Sequence, residues 1–258
     1  MASRGGAPLP GTVLARERLS AHLVRLVVGG LEGFASTGVP DEWVALTVPG
    51  QFQTRYYTVR SWTDGELILD VVVHEEGLVT EWAQTDCVGD EVGISPPKGS
   101  YAEPPGARWV VLVGDLTALP AIARIAETTA LPVSAHVESP DGPLPDYLAG
   151  GAATVTWLEP PGEARSRLAD VVRGLSWPEG PGYFWMAGES AQMRDIRKHL
   201  RRDLGWDSRS HDVMGYWSGA RGRQARRLDP GPIYRRGKAE GKSDEQIWAE
   251  YDDARGGS

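Results

Sequence analysis

"RWVVLVGDLTALPAIARIAETT", residues 108–129, is the stretch on which the fold turns. Its first half is an unbroken apolar run ending at Gly114 and Asp115, as expected of a strand buried on both faces. Its second half places Thr117 as a helix N-cap and Pro120 in the first turn, where a missing N–H is harmless. Downstream, "PVSAHVES", "ATVTWLE" and "GYFWMAG" read as further strands, and "RLADVVRGL" and residues 191–204 as helices. In the last helix Met193, Ile196, Leu200 and Leu204 recur at spacings of three and four and form one stripe, with the arginines on the other side. Strand alternating with helix predicts a parallel sheet.

Upstream the pattern is different. "AHLVRLVVGG", "EWVALTV", "RYYTVRSW", "GELILDVVVH" and "GDEVGISPP" are short β segments bounded by Gly, Pro or Asp, which predicts a small antiparallel barrel. "EPPGAR", residues 103–108, reads as the linker. The expectation is therefore two domains, an N-terminal antiparallel β-barrel over 1–104 and a C-terminal α/β parallel-sheet domain over 105–219. A basic C-terminal extension, 220–258, follows, with one helical patch at "SDEQIWAEYDDA".

The chain has 258 residues, of which 41% are hydrophobic and 24% charged, a composition suited to two packed globular domains. There is no apolar run long enough to cross a bilayer, so no membrane role is expected. "MASRGGAPLPGTV" lacks the apolar core of a secretory signal, and the single cysteine, Cys87, cannot form an internal disulfide; both point to the cytoplasm. A formal charge of −8 argues against a general nucleic-acid binder. Residues 194–238 nevertheless carry thirteen cations against five anions, which reads equally as a solvated helix face with a polar tail or as a surface that attracts an anionic ligand.

Three segments can carry chemistry. "QTRYYTVRSW", residues 53–62, offers a guanidinium for a pyrophosphate, rings for a flat heterocycle and a hydroxyl for a ring nitrogen; a half-exposed strand with aromatic pairs explains it too. "HEEGLVTEWA", residues 74–83, puts Gly77 and Thr80 at a helix start, suited to phosphate oxygens or simply to a turn. "VGDLTALPAI" and "MAGES" end strands of the predicted parallel sheet, where an open α/β fold has its ligand crevice. There is no GxGxxG, no P-loop, no triad signature and no metal-ligand spacing among the five histidines.

In this order and together with "MGYWSGA", the segments resemble the siderophore-interacting protein family, flavin-dependent ferric-siderophore reductases related to the ferredoxin-reductase group. The resemblance spans residues 11–219. It implies FAD in the barrel groove, with Arg55 at the pyrophosphate, Tyr57 against the flavin, Thr58 at its reactive edge and Tyr56 beside them. Tyr57 and Thr58 are then the catalytic positions. It places Val73, His74, Gly77, Val79 and Thr80 near the isoalloxazine and phosphates. Gly114, Asp115, Thr117, Ala187, Gly188 and Glu189 fall on the side of the electron donor, NADH or NADPH. The substrate is an anionic ferric siderophore, for which Arg60, Lys98, Trp217 and Arg221 are the candidate contacts, and no resident metal is implied.

Two positions depart from the family pattern: Leu116 stands where an acidic residue is usual, and Ser218 where an arginine is. Arg221, Arg223 or the later "YRRGK" are the candidate replacements for that cation. A flavin takes a hydride and passes electrons on singly, and Fe(II) is held less tightly than Fe(III) by hard anionic oxygens, so reduction frees the metal. Three alternatives stay open: a flavin reductase serving another acceptor, a ferredoxin-like protein as the donor, and a ferric-chelate binder without catalysis.

Overall fold

The computed structural model describes residues 7–51, 55–74, 77–150, 153–162 and 166–218, with positions 236, 240 and 242 beyond them. The N-terminal part is a closed antiparallel barrel of β1 (Leu9–Arg18), β2 (Leu23–Gly29), β3 (Trp43–Thr47), β4 (Arg55–Thr63), β5 (Glu66–Val72) and β6 (Glu91–Ile94), in the order β1-β2-β5-β4-β3-β6. Alternation builds its interior: Val24, Leu26 and Val28 of β2 meet Leu67, Leu69 and Val71 of β5, and Val44, Leu46, Val59 and Ile94 complete the core. Asp64 (φ 54°) and Gly65 (φ 82°) form the two-residue turn from β4 to β5, the doubly left-handed geometry that matches strand twist. A short helix, α1 (Leu78–Gln84), buries Val79, Thr80 and Ala83.

The C-terminal part is a parallel sheet in the order β11-β10-β7-β8-β9, made of β7 (Val110–Asp115), β8 (Val133–Glu138), β9 (Ala153–Leu158), β10 (Tyr183–Glu189) and β11 (His211–Trp217). All six residues of β7 are buried, as its continuous apolar run predicts. Helix α2 (Leu119–Thr128) packs on one face of the sheet, and α3 (Leu168–Arg173) and α4 (Ser190–Arg202) cover the other with Leu168, Val172, Met193, Ile196 and Leu200. No described helix is long and apolar enough to cross a membrane.

The structure corrects several expectations. Helix α2 starts at Leu119 with Ala118 as an N-cap that has no side-chain bond, because Thr117 is engaged with Asp115 instead. Pro120 does lie in the first turn. Helix α4 ends at Arg202, so Leu204 lies beyond the apolar stripe and is exposed. Strands β1 and β11 are additions to the sequence reading. The segment "SDEQIWAEYDDA" lies outside the described residues.

Barrel and sheet meet along a polar seam. Arg124 of α2 donates to Val59 O at 2.6 Å and to buried Glu42 at 3.1 Å. Arg60 of β4 forms a two-pronged pair with Glu127 of α2, at 2.9 and 2.6 Å. Tyr147 donates to Asp70 of β5, which also receives both prongs of Arg25 at 2.8 Å, and the Tyr147 ring lies 5.7 Å from the Arg25 guanidinium and 5.3 Å from that of Arg60. The Asp70 carboxylate in turn holds the Arg25 guanidinium above its ordinary pKa.

Candidate functional site

The site follows from where β4 runs. Tyr57 pairs with Val44 and packs with Leu78, Val79 and Trp82 against the barrel interior, so the alternation of a strand turns Thr58 outward, toward the sheet. Thr58 is 5% exposed, and its Oγ1 is buried without a hydrogen-bond partner. Opposite it lies Tyr216 of β11, whose phenol oxygen is also buried and unpartnered. The two hydroxyls are close enough for Thr58 to favour an ionised phenol, yet they stand outside hydrogen-bond geometry. Leaving a buried polar group unsatisfied costs about 1–3 kcal/mol, so these hydroxyls are suited to bonding the polar atoms of a bound group.

Beside the pair lie the carboxyl ends of β7, β10 and β11, brought together by the parallel register that pairs Gly114 with Ala187 and Gly188 with Gly215. Asp115 is buried and accepts from Thr117 N at 2.9 Å, from Thr117 Oγ1 at 2.5 Å and from Trp217 Nε1 at 2.6 Å. Burial pushes its carboxyl above the usual range, against the pull of these donors. Gly188 is a glycine for two reasons: its φ is 155°, and a Cβ there would sit 2.7 Å from Asp115 Oδ2. A Cβ on Gly114 would meet that of Ala118 at 2.4 Å, so only glycine lets α2 close on the strand end.

The sequence-derived candidates divide into groups. Thr58, Gly114, Asp115, Thr117, Ala187, Gly188 and Trp217 gather at the strand ends. Trp217, expected among substrate contacts, is held by its indole on Asp115. Glu189 caps α4, its carboxylate accepting from Ala191 N and Gln192 N at 3.0 Å each.

Arg55, Tyr56, Tyr57, Val73, His74, Gly77, Val79 and Thr80 form the second group, around α1 and the outer end of β4. Here the exposed ring is that of Tyr56, 63% exposed, whereas Tyr57 is the more enclosed of the two and burial raises its phenol pKa. Gly77, at φ 141°, precedes α1 without a side-chain cap, and buried Thr80 accepts from His74 N at 3.3 Å, which ties the strand exit to the helix.

The cations expected at the substrate separate likewise. Lys98 is exposed and its backbone pairs with Trp43, the cross-strand neighbour of Thr58. Arg60 is committed to Glu127 and Tyr147. Arg221 and Arg223 lie outside the described residues, as does most of "YRRGK"; of that segment Arg236 is described, 3.9 Å from Glu240.

Sequence reasoning did not single out Tyr216, Asp41, Ser100 or Asp212. Asp41 is fully buried and accepts from Ser100 N and Tyr101 N at 2.9 Å and from Trp185 Nε1 at 3.3 Å. Ser100 Oγ lies 2.9 Å from Asp41 Oδ2 and 2.6 Å from Asp212 Oδ2. One hydroxyl hydrogen serves one carboxylate at a time, and burial and then Asp41 raise the pKa of Asp212 against the pull of Ser100. The signal for Tyr216 was present in "MGYWSGA": in a strand, Tyr216 and Trp217 must face opposite ways.

Comparison with known proteins adds the following. The sequence pattern of the family described as "Siderophore-interacting protein" matches residues 107–220, and that of "Siderophore-interacting FAD-binding domain" matches residues 50–101. The chain is 27% identical over 236 residues to the NADPH-dependent ferric-chelate reductase of Escherichia coli (strain K12), covering 80% of this chain and 91% of that protein. A siderophore utilization protein from T. fusca superposes with a TM-score of 0.71 at 27% identity, covering 87% of this chain and 98% of the other. The ferredoxin reductase of carbazole 1,9a-dioxygenase shares the fold, with a TM-score of 0.65 at 16% identity over 84% of this chain and 71% of its own.

Proposed function

Because the chain belongs to the siderophore-interacting protein family, we propose that it reduces ferric siderophores, with FAD bound at β4 and NADH or NADPH as electron donor, and so frees Fe(II). The observation that carries this reading is the buried, unpartnered Thr58 Oγ1, at the seam beside the strand ends of a parallel sheet. A flavin fits it: its ring carries nitrogens and carbonyl oxygens that would satisfy a lone hydroxyl, and a flat ring against the seam would exclude water from it.

Bound there, FAD supplies the two-electron to one-electron conversion that a nicotinamide donor and an Fe(III) acceptor require. The protein's part is to hold and orient. Arg55 offers a cation to the pyrophosphate, Tyr56 and Tyr57 line the ring, and Val73, His74, Gly77, Val79 and Thr80 border it. Gly114, Asp115, Thr117, Ala187 and Gly188 shape the donor side, with Glu189 acting through the start of α4. On the substrate side exposed Lys98, whose backbone pairs with Trp43 beside Thr58, is one candidate cation, and Arg221 is the candidate from the following segment. Arg60 leaves the substrate set for the seam. The domain limits proposed are 1–104 and 105–219, with 220–258 as an extension.

One observation favours a second reading of the donor. Leu116 is 3% exposed and packs into the core around α2, so it presents no polar group to a nicotinamide ribose. A ferredoxin-like protein would need no such group.

The test is an anaerobic absorbance titration of the purified protein. A flavin band that bleaches with NADH or NADPH and returns as a ferric siderophore yields Fe(II) supports the reductase. A flavin band bleached by reduced ferredoxin alone favours the second donor, and a protein that takes up no flavin overturns the reading.

A further inference from the structure

Five of the thirteen residues of α4 are arginine or lysine, and one, Asp195, is acidic. Arg197 turns into the fold and donates to Val213 O at 2.9 and 2.6 Å. The other four, Arg194, Lys198, Arg201 and Arg202, are exposed. Lys198 stands three or four residues from each of the others, so the four share the side of the helix opposite buried Met193, Ile196 and Leu200.

Among the described residues none of these four cations has an ion-pair partner, because the neighbouring acids are taken. Asp195 is held by Arg173 at 2.7 Å, Asp203 by His199 at 2.8 Å and Asp207 by Arg209 at 3.2 Å. The cations form a row about 12 Å long. It is a local reversal of sign on a chain whose formal charge is −8. A flat anionic membrane or a long polyanion would meet the negative remainder of the surface together with the row. A compact acidic patch on a protein meets the row alone, which favours a protein as the partner.

The position of the row says what such a protein could do. Helix α4 starts at the carboxyl end of β10, where Ser190 Oγ donates to Trp217 O at 2.7 Å and Trp217 holds Asp115. Arg194 is one turn further on, about 6 Å along the axis, so a protein seated on the row overhangs the crevice at the strand ends. In that crevice Leu116 is buried in the core around α2 and offers a nicotinamide no polar group.

We propose that the outer face of α4, with Arg194, Lys198, Arg201 and Arg202, is the docking surface for an acidic one-electron carrier protein of the ferredoxin type. The inference rests on the second donor reading above. Each reduced carrier gives up one electron and each Fe(III) takes one, so one carrier is oxidised for every iron released. Encounters of this kind bury little surface and are held and oriented largely by charge.

The experiment is isothermal titration of the FAD-loaded protein with an oxidised, acidic [2Fe–2S] ferredoxin, for wild type, Lys198→Glu and Arg18→Glu. Arg18 is exposed on the barrel, so the two variants change the net charge equally and differ only in place. Lys198→Glu should weaken binding by about fivefold to tenfold at low salt, and Arg18→Glu should leave it close to wild type. The difference should fade by about 0.5 M salt, where charges are screened within a few ångströms. Equal loss in both variants overturns the inference, since net charge alone would then govern binding. So does a wild type that binds no ferredoxin but adsorbs through Lys198 to phosphatidylcholine vesicles containing phosphatidylglycerol.

The same samples are then mixed anaerobically with reduced ferredoxin. Bleaching of the flavin band that slows in Lys198→Glu alone supports the proposal. Binding on α4 without bleaching overturns the second donor reading, and this inference with it. Bleaching that is indifferent to Lys198→Glu overturns the inference and leaves the donor reading standing.

Discussion

Trp217 donates its indole N–H to Asp115 Oδ2 at 2.6 Å, tying the end of β11 to the end of β7 across the strand that lies between them. A buried carboxylate that loses one of its donors is left partly unsatisfied. Trp217→Phe should therefore lower stability by about 1–3 kcal/mol in urea unfolding. Trp217→His, which keeps a ring N–H in reach, should recover part of the loss. Equal loss in both variants would mean that the indole acts by packing alone.

The same corner makes Gly188 intolerant. A methyl there would stand 2.7 Å from Asp115 Oδ2, on a backbone at φ 155°. Gly188→Ala should cost more than the 1 kcal/mol or so typical of a point substitution. Pairing it with Asp115→Ala should recover part of the cost, because the clashing oxygen is gone. Simple additivity of the two in a double-mutant cycle would place the strain in the backbone instead.

How much of this was legible in the sequence depends on which residues act locally. The strand over 110–115 could be read because its first four side chains form an unbroken apolar run, and the β4–β5 turn was marked by Asp64 and Gly65. Strand β1 was not read, since it opens "LPG" and then alternates with charges, and β11 carries His, Asp and Gly in seven residues. What makes them strands is their neighbours: β1 closes the barrel between β2 and β6, and β11 adds to β10. Thr117 misled because two local bonds compete for it: its hydroxyl goes to the Asp115 carboxylate two residues earlier, and the helix starts at Leu119 without a side-chain cap. Asp41, Ser100 and Asp212 lie far apart in the chain, and only the closed fold makes them one group.

Thr58 yields a prediction with two signs. Its hydroxyl is buried without a partner, so in the flavin-free protein Thr58→Val removes a polar group that gains nothing there. Thermal melts should show the variant as stable as wild type or more so, by up to about 1–3 kcal/mol. Under the function proposed here the same change should weaken binding of oxidised flavin by about fivefold to tenfold, read by fluorescence quenching, as one hydrogen bond is lost. A variant that loses stability without flavin would show that the hydroxyl already has a partner.

The seam depends on Asp70. It takes both prongs of Arg25 and the Tyr147 hydroxyl, and its own side chain is fully buried while that of Arg25 is 26% exposed. Asp70→Ala strands a half-buried guanidinium and should cost about 3 kcal/mol, the lower end for a broken buried pair because water still reaches Arg25. Tyr147→Phe removes one neutral donor and should cost about 1 kcal/mol. Denaturation that splits into two transitions in Asp70→Ala, but not in wild type, would identify the seam as what couples barrel to sheet.

The contribution to stability of three acids that burial shifts upward should fall as pH rises above the ordinary carboxylate range. Burial raises the pKa of Asp115, Glu138 and Asp212, so the folded chain keeps protons that the unfolded chain releases near pH 4 or so. At these three groups more protons are then bound in the folded state than in the unfolded one, and their share of the unfolding free energy declines with pH until they ionise in place. Glu42 and Asp141 act oppositely: against burial, Ser36 and Thr37 hold the first below its usual value and Ser20 and His22 the second, so their contribution is present at neutral pH and lost on acidification. Asp212 can be isolated, because Asn in its place keeps an N–H for Ser100 Oγ and never ionises. The melting temperature of Asp212→Asn, compared with that of wild type from about pH 5 to about pH 8, should gain steadily as pH rises. Parallel curves would show that Asp212 ionises in the folded chain as freely as in the unfolded one, and that Ser100 does not share a proton between two acids.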